Sequence, residues 1–356
     1  MDGHAFRLIR EDLKWSQADL RGILNTRLKR AYDKSRLSRW ENDREAIPIE
    51  VGKEMEALQS QRSRKARVIA LANQKGGVGK TTSALNFAVA FTKAGYRTLL
   101  VDIDPQASAT DWLMGPNGLD LYRAGRTIYH ALLRNGLIEQ CIVRAAEPFE
   151  GSTRSFDLLT SHIDLAEADG RREPGFEHSL KESLDTVAGD YDYIIVDAPP
   201  NLGLLTYMAL VAADTVIVPV QTEPPDAMGV ALLFQTIQKI QRRLNPGLRI
   251  TGILPTRYNP RQSVDREVLH SLIRSTSGVA SVLEPVHDSP IFGNAAWSGA
   301  IALDVSPKAK AVSVYTRIAQ AIATGSPLPI ALLDLDADPP EEVKKSSSKS
   351  RGEAAR

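Results

Sequence analysis

Cysteine is almost missing from this chain: Cys141 is the single one in 356 residues. An intramolecular disulfide is therefore impossible, and so is a metal site or cluster built from several thiolates. The lone thiol is expected to be buried as a small apolar side chain, in keeping with a reducing cytoplasm. An excess of charge is missing too, with 44 Lys and Arg against 43 Asp and Glu and a net charge of +1. The whole molecule does not steer toward a polyanion, so any such binding must come from local basic surfaces. Long apolar runs are also absent. The most apolar longer window, residues 204–220, is interrupted by Asp214 and falls short of the ~20 residues of a membrane helix. The start, MDGHAFRLIREDLKW, has acidic residues where a secretory leader needs a continuous apolar stretch. The expectation is a cytoplasmic protein with no membrane partner. Its 43% hydrophobic and 24% charged residues are ordinary for a globular chain.

Three regions separate by composition. Residues 1–58 combine dense charge with helix-spaced apolar positions, QSQRSRKA (59–66) is polar and basic without periodicity and is expected to be a linker, and 67–333 is expected to be the main domain. There, short apolar runs alternate with helical stretches. The expected strands are VIALAN (68–73), TLLVDI (98–103), FDLLTS (156–161), YIIVDA (193–198), TVIVPV (215–220) and ITGILPT (250–256). Near-continuous apolar runs of this length suit strands covered on both faces. The expected fold is α/β, a doubly wound, mostly parallel sheet preceded by a small all-α domain. From Asp334 the chain has no large apolar residue after Leu335, and 334–356 is expected to be disordered.

The sharpest motif is Lys75-Gly76-Gly77-Val78-Gly79-Lys80-Thr81-Thr82, which follows a strand and opens the helical stretch SALNFAVAFTKAG. Glycines let the backbone turn tightly and aim its N–H groups at phosphate oxygens, and the helix adds its positive end. Gly76, Gly77, Val78, Gly79, Lys80, Thr81 and Thr82 are thus the expected nucleotide-binding residues. In such a loop the lysine, Lys80, reaches the β and γ phosphates, and the Thr81 hydroxyl ligates Mg²⁺. Asp102 and Asp104 end the second strand in LLVDIDPQAS, and Asp197 ends DYIIVDAPP. Ligands of open α/β sheets gather at the carboxyl ends of strands, where a buried carboxylate needs compensation. Any one of the three aspartates could equally cap a helix. Together, beside a phosphate loop, they point to metal and water handling.

These segments resemble the ParA family of partition ATPases, within the deviant Walker A group that also holds MinD and the nitrogenase iron protein. The mark of the group is a second lysine early in the loop, matched by Lys75 in QKGGVGKTT. VDIDPQAS, YDYIIVDAPPNLGLLT and VIVPVQTEP are similar to successive ParA motifs. The resemblance implies a weak ATP hydrolase that forms an ATP-dependent sandwich homodimer, with Lys75 reaching across to the partner's phosphates. It implies that Asp104 positions the attacking water, and that Asp102 and Asp197 serve the Mg²⁺ shell with Thr81. It further implies that Gln221, Thr222 and the Pro-rich loop after them lie near the nucleotide and the dimer face. Within the group, the iron protein needs several cysteine ligands and MinD ends in an amphipathic membrane helix. One cysteine and the ending KKSSSKSRGEAAR fit neither, which leaves ParA.

The amino-terminal stretches LKWSQADLRGILN and KSRLSRWENDREAIP resemble a lambda-repressor-like helix-turn-helix. Ser16-Gln17 would open its first helix, and SRLSRWEN would be the recognition helix. Leu37 and Trp40 are expected to face the core, with Ser35, Arg36, Ser38 and Arg39 toward a DNA groove. Arginine can pair bidentately with guanine, and serine can hold phosphate. NTRLKRAYDK makes the spacer between the two helices longer than the family's turn. The alternative is a small helical bundle used for dimer contact. In larger plasmid ParA proteins such a module binds and represses the promoter of its own operon, which is the role the resemblance implies.

Chromosomal ParA-like proteins place arginines in the loop before the last strand, whereas PVHDSPIFGNAAWSG (285–299) has no Lys or Arg. Arg257 and Arg261 in PTRYNPRQS are the alternative candidates for non-specific DNA, followed by Arg266, Arg274, Lys308, Lys310 and Arg317. The implied function is ATP-gated movement of plasmid or chromosome cargo on nucleoid DNA, stimulated by a ParB-like partner. A competing reading is a transcriptional repressor that uses nucleotide only as an allosteric ligand. Lys80 and Asp104 favour turnover.

Overall fold

The computed structural model describes residues 1–13, 15–62, 65–147, 154–223 and 226–332. The expected disordered tail, residues 63–64 of the expected linker and the two prolines after Glu223 lie outside the described residues. Four helices come first: α1 (Gly3–Asp12), α2 (Gln17–Leu28), α3 (Lys34–Glu41) and α4 (Ile49–Arg62). α2 starts where it does because Ser16 and Asp19 form a reciprocal capping box, a device worth about 1 kcal/mol. Asn25, Thr26, Arg27 and Leu28 of the expected spacer continue this helix, so only residues 29–33 connect α2 to α3. The connection is short because the Asn25 side chain binds it twice, donating to the Tyr32 carbonyl (3.0 Å) and accepting from the Tyr32 N–H (2.7 Å).

These helices close around their own core of Phe6, Leu20, Leu24, Leu37, Trp40 and Met55. Leu37 and Trp40 face inward as their spacing implies, and Trp40 meets Phe6 and Tyr32 edge-on at 5.9 and 5.1 Å. In α4, Val51, Met55 and Leu58 are buried one turn apart, and the helix continues through Arg62 into the stretch expected to be a linker. A helix already nucleated by packing extends through polar residues at little cost.

The second domain is built on a six-stranded sheet of β1 (Arg67–Leu71), β2 (Thr98–Asp102), β3 (Asp157–Leu159), β4 (Tyr193–Asp197), β5 (Thr215–Gln221) and β6 (Arg249–Thr256). All strands are parallel, in the order β3-β2-β4-β1-β5-β6. Alternate residues of β1 go to opposite faces: Val68 and Ala70 join one core, Ile69 and Leu71 the other. Both faces are covered, which is why the strands read as unbroken apolar runs. α5 (Lys80–Lys93) and the helix Lys310–Thr324 cover one face, with Phe87 against Tyr315 at 5.1 Å. Helices 204–212 and 226–243 cover the other. β3 is shorter than expected because Thr160 and Ser161 leave the ladder, the Thr160 carbonyl accepting from the Ile128 N–H and the Ser161 N–H donating to the Thr110 hydroxyl. Cys141 is buried, 1% exposed, and burial pushes its thiol pKa up.

β1 lies between β4 and β5, so the chain leaving β1 crosses to β2 on one side while the chain leaving β4 crosses to β5 on the other. Such a divergence opens a crevice at the carboxyl ends of the strands. The helical unit docks at the other pole. Arg27 of α2 donates to the Ala94 carbonyl (2.8 Å) and lies over the Tyr96 ring (4.5 Å), at the far end of α5. With 14 residues in α5, the phosphate loop and this contact are separated by about 20 Å.

Candidate functional site

The segment between β1 and α5 turns through Gly77 (φ +75°) and Gly79 (φ +83°), both left-handed positions that glycine adopts without a steric penalty. Gly79 occupies the N-cap of α5 with no side-chain cap, so the first-turn N–H groups are left for a ligand. The loop is held from below by two residues that the motif does not contain. Thr256, at the end of β6, donates to the Val78 carbonyl (2.9 Å). Asn73 donates to the Pro219 carbonyl (2.6 Å) and accepts from the Lys75 N–H (3.1 Å). A lone polar residue ending each of two apolar strands was the only sequence signal for either.

Register places the acids. Asp102 of β2 and Asp197 of β4 are direct cross-strand partners, and Asp197 also faces Leu71, the last residue of β1. Asp102 and Asp197 are 0% and 1% exposed. Burial raises both carboxyls, Asp102 to about 7; the Asp104 charge adds to both shifts, and the Asp102 charge to that of Asp197. Their surroundings differ. Asp102 accepts from the Thr110 N–H (2.9 Å), the Thr110 hydroxyl (2.8 Å) and the Asp104 N–H (3.2 Å). Neither oxygen of Asp197 has a hydrogen-bond partner of good geometry, and the neighbouring Thr81 hydroxyl and Lys80 ammonium offset its burial only in part. Lys80 is itself buried, its Nζ donating to the Lys75 carbonyl (3.0 Å). Burial lowers its pKa, against the pull of Asp197 and Asp104. A buried ammonium whose charge acts on a carboxylate without a well-placed hydrogen-bond partner, at the uncapped start of α5, suits an anion and a cation together.

One consequence can be measured without ligand. A carboxyl with a raised folded-state pKa stabilises the fold fully below its unfolded pKa of about 4 and loses that contribution as pH rises through the folded value. For Asp102 the loss spans roughly pH 4 to 7. Asp197→Asn should therefore raise the ligand-free Tm at pH 7.5 and flatten its decline with pH. A gain of about 1 kcal/mol corresponds to about 2–4 °C in a domain of this size. Thermal melts across that range check it, and an unchanged or lower Tm at pH 7.5 would contradict the unsatisfied-carboxylate reading.

The rim differs from the floor. Lys75 keeps 35% of its side chain exposed and turns its Nζ toward Glu223 (3.7 Å), which also accepts from Gln221 (2.7 Å). Thr222 is buried and bonds Asp265 (3.1 Å), which in turn accepts from the Asn259 N–H (2.7 Å). Arg257 follows Thr256 directly, is exposed and has a left-handed backbone (φ +54°), with Asp288 at 4.0 Å; Arg261 is exposed. These two arginines thus fall at the phosphate-loop end of the sheet. Arg36 and Arg39 belong to the other pole, where their Nε atoms donate to the two oxygens of Glu45 at 2.7 and 2.8 Å. Ser35 is exposed and bonds Asp33, and Ser38 is half-buried.

Residues 66–250 match the family described as an AAA domain, a range that holds the phosphate loop and all three aspartates. An uncharacterized protein of Mycobacterium tuberculosis is 40% identical over 211 residues, which are 58% of this chain and 63% of that protein. The chain therefore spans less than two thirds of that relative. The chromosome partitioning protein ParA of Myxococcus xanthus is 39% identical over 210 residues, 58% of this chain and 70% of the relative. For the chromosome-partitioning ATPase Soj of Thermus thermophilus the values are 42% over 204 residues, 57% and 74%. Among solved structures, cobyrinic acid a,c-diamide synthase from Mycobacterium smegmatis with bound ATP analog and magnesium superposes with a TM-score of 0.63 at 33% identity, covering 75% of this chain and 100% of that one. Matched over these lengths, the chain belongs to the ParA/Soj family of partitioning ATPases.

Proposed function

We propose that this chain is an ATP-hydrolysing DNA partition protein that dimerises on ATP, binds nucleoid DNA non-specifically in that state, and is reset by a ParB-like partner. The observation that carries the reading is the buried Lys80 ammonium beside the unsatisfied Asp197 carboxylate. Lys80 and the loop N–H groups bind the β and γ phosphates of ATP. Thr81 and Asp197 would hold Mg²⁺, and the ion would supply charge neutralisation at the phosphates. Asp102, whose oxygens already accept three internal hydrogen bonds, acts on that shell from behind. Asp104 orients the attacking water. Lys75, on the rim, reaches the partner subunit's phosphates.

Asp104→Ala is expected to bind ATP with near wild-type affinity, hydrolyse it roughly 10²-fold more slowly or worse, and accumulate as dimer in light scattering. Equal hydrolysis rates for variant and wild type would reject the role of Asp104. The N-terminal helices supply a second, sequence-specific DNA surface through Ser35, Arg36, Ser38 and Arg39, and repress the protein's own operon. A repressor that never turns ATP over is the competing reading, favoured if the wild-type chain binds ATP and its promoter DNA but shows no hydrolysis with DNA and partner present.

A further inference from the structure

Asp104 is the least anchored of the three acids in covalent terms, because it lies past the end of β2 in the turn leading to α6 (Ser108–Met114). That turn is unusual. Ala107 has φ +52°, a left-handed conformation that costs a non-glycine residue about 1 kcal/mol or more. Two buried hydroxyls grip it, that of Thr110 in the helix it leads into and that of Ser161 from elsewhere in the chain. Ser161, just past β3, donates its hydroxyl to the Asp104 carbonyl (2.7 Å), which also accepts from the Ala107 N–H (2.8 Å). The Ser161 N–H donates to the Thr110 hydroxyl (2.8 Å), and the Thr110 hydroxyl donates in turn to Asp102 (2.8 Å). Asp102 closes the circuit by accepting from the Asp104 N–H (3.2 Å). Thr110 and Ser161 are 1% and 2% exposed, so water cannot replace either hydroxyl without rearrangement.

We propose that Thr110 and Ser161 are positioning residues for ATP hydrolysis, bracing the Asp102–Ala107 turn so that the Asp104 carboxylate is held where the attacking water must be. The inference rests on the reading that this site hydrolyses ATP through Asp104. Neither hydroxyl belongs to the phosphate loop, so the brace acts on turnover more than on nucleotide binding. A misplacement of about 1 Å at a reacting group can cost about 10²-fold in rate, which is the scale on which a loosened turn acts.

The test uses the full chain. Thr110→Val keeps the shape and removes the hydroxyl, and Ser161→Ala frees the Asp104 carbonyl. Each is expected to lower kcat by roughly tenfold or more while KM and the equilibrium Kd for Mg·ATP stay within about threefold of wild type. Thr110→Ser, which restores the hydroxyl, is expected to recover most of kcat. Wild-type kcat in both Thr110→Val and Ser161→Ala would overturn the brace. Loss of ATP binding in parallel with turnover would overturn it as well, by showing a merely structural role. So would a Thr110→Ser variant that binds ATP but is as slow as Thr110→Val. Absence of hydrolysis by the wild-type chain itself would remove the reading beneath the proposal, a result separable from all of these.

Discussion

Lys80→Ala should abolish tight ATP binding. The Lys80 ammonium is buried and donates inward, to the Lys75 carbonyl, in the structure, and its charge opposes those of Asp197 and Asp104. Removing it does three things at once: the phosphates lose their main cation, two carboxylates lose their compensation, and the loop loses an internal tie. Truncating one partner of a charge pair that is buried on binding costs about 2–5 kcal/mol, or roughly 30-fold to 10³-fold or more in Kd. Isothermal titration of Mg·ATP into wild type and variant measures this directly. A variant Kd within about threefold of wild type would mean that the phosphates do not reach Lys80. The fold itself should survive, because the cores on both faces of the sheet are built from apolar residues and do not depend on the ammonium.

The second large effect concerns sequence-specific DNA binding. Arg36→Ala combined with Arg39→Ala in the full chain should weaken binding to the DNA upstream of its own reading frame far more than binding to random duplex. Glu45 holds both guanidiniums by their Nε atoms, which orients the pair on the exposed face of α3 while Leu37 and Trp40 anchor the helix. Removing one bidentate pairing with a base costs about 1–3 kcal/mol and relaxes preference at its position. Binding to random DNA should instead require ATP and fall steeply with salt, since each neutralised phosphate releases counterions. Affinities for both duplexes, with and without ATP, over a series of salt concentrations would separate the two surfaces. Equal losses on both duplexes would leave α3 as a general electrostatic patch, and no loss on either would leave the helical unit as a docking or dimer element.

The docking of the helical unit also bears on how the two activities are arranged. Arg27 and Ile23 of α2 meet the turn at Ala94–Tyr96, so tightly that a β-carbon on Gly95 would approach Ile23 at 2.7 Å. The helical unit that carries the candidate DNA-reading helix α3 is thus attached through α2 to the distal end of α5, while Arg257 and Arg261 share the pole of the phosphate loop.

Much of this was legible in the linear chain. Six apolar runs became six parallel strands because a strand covered on both faces must be apolar throughout, and that signature needs no tertiary knowledge. The phosphate loop was equally legible, since Gly77, Gly79 and Lys80 are demanded by local backbone geometry and by one ligand. Ser16 announced the start of α2 through a cap that spans three residues. The end of α2 was not legible, because Asn25 folds the spacer against itself through a contact with Tyr32 that no periodicity encodes. Only the tertiary structure separated the roles of three similar aspartates. Strand register set Asp102 and Asp197 side by side, but Thr110, eight residues on in α6 and itself held by Ser161 from past β3, bonds Asp102, while Asp197 has no hydrogen-bond partner of good geometry. Local chemistry marks which residues suit a phosphate; the different surroundings of Asp102 and Asp197 come from hydrogen bonds that the turn after β2 makes once Ser161 packs on it in the closed sheet.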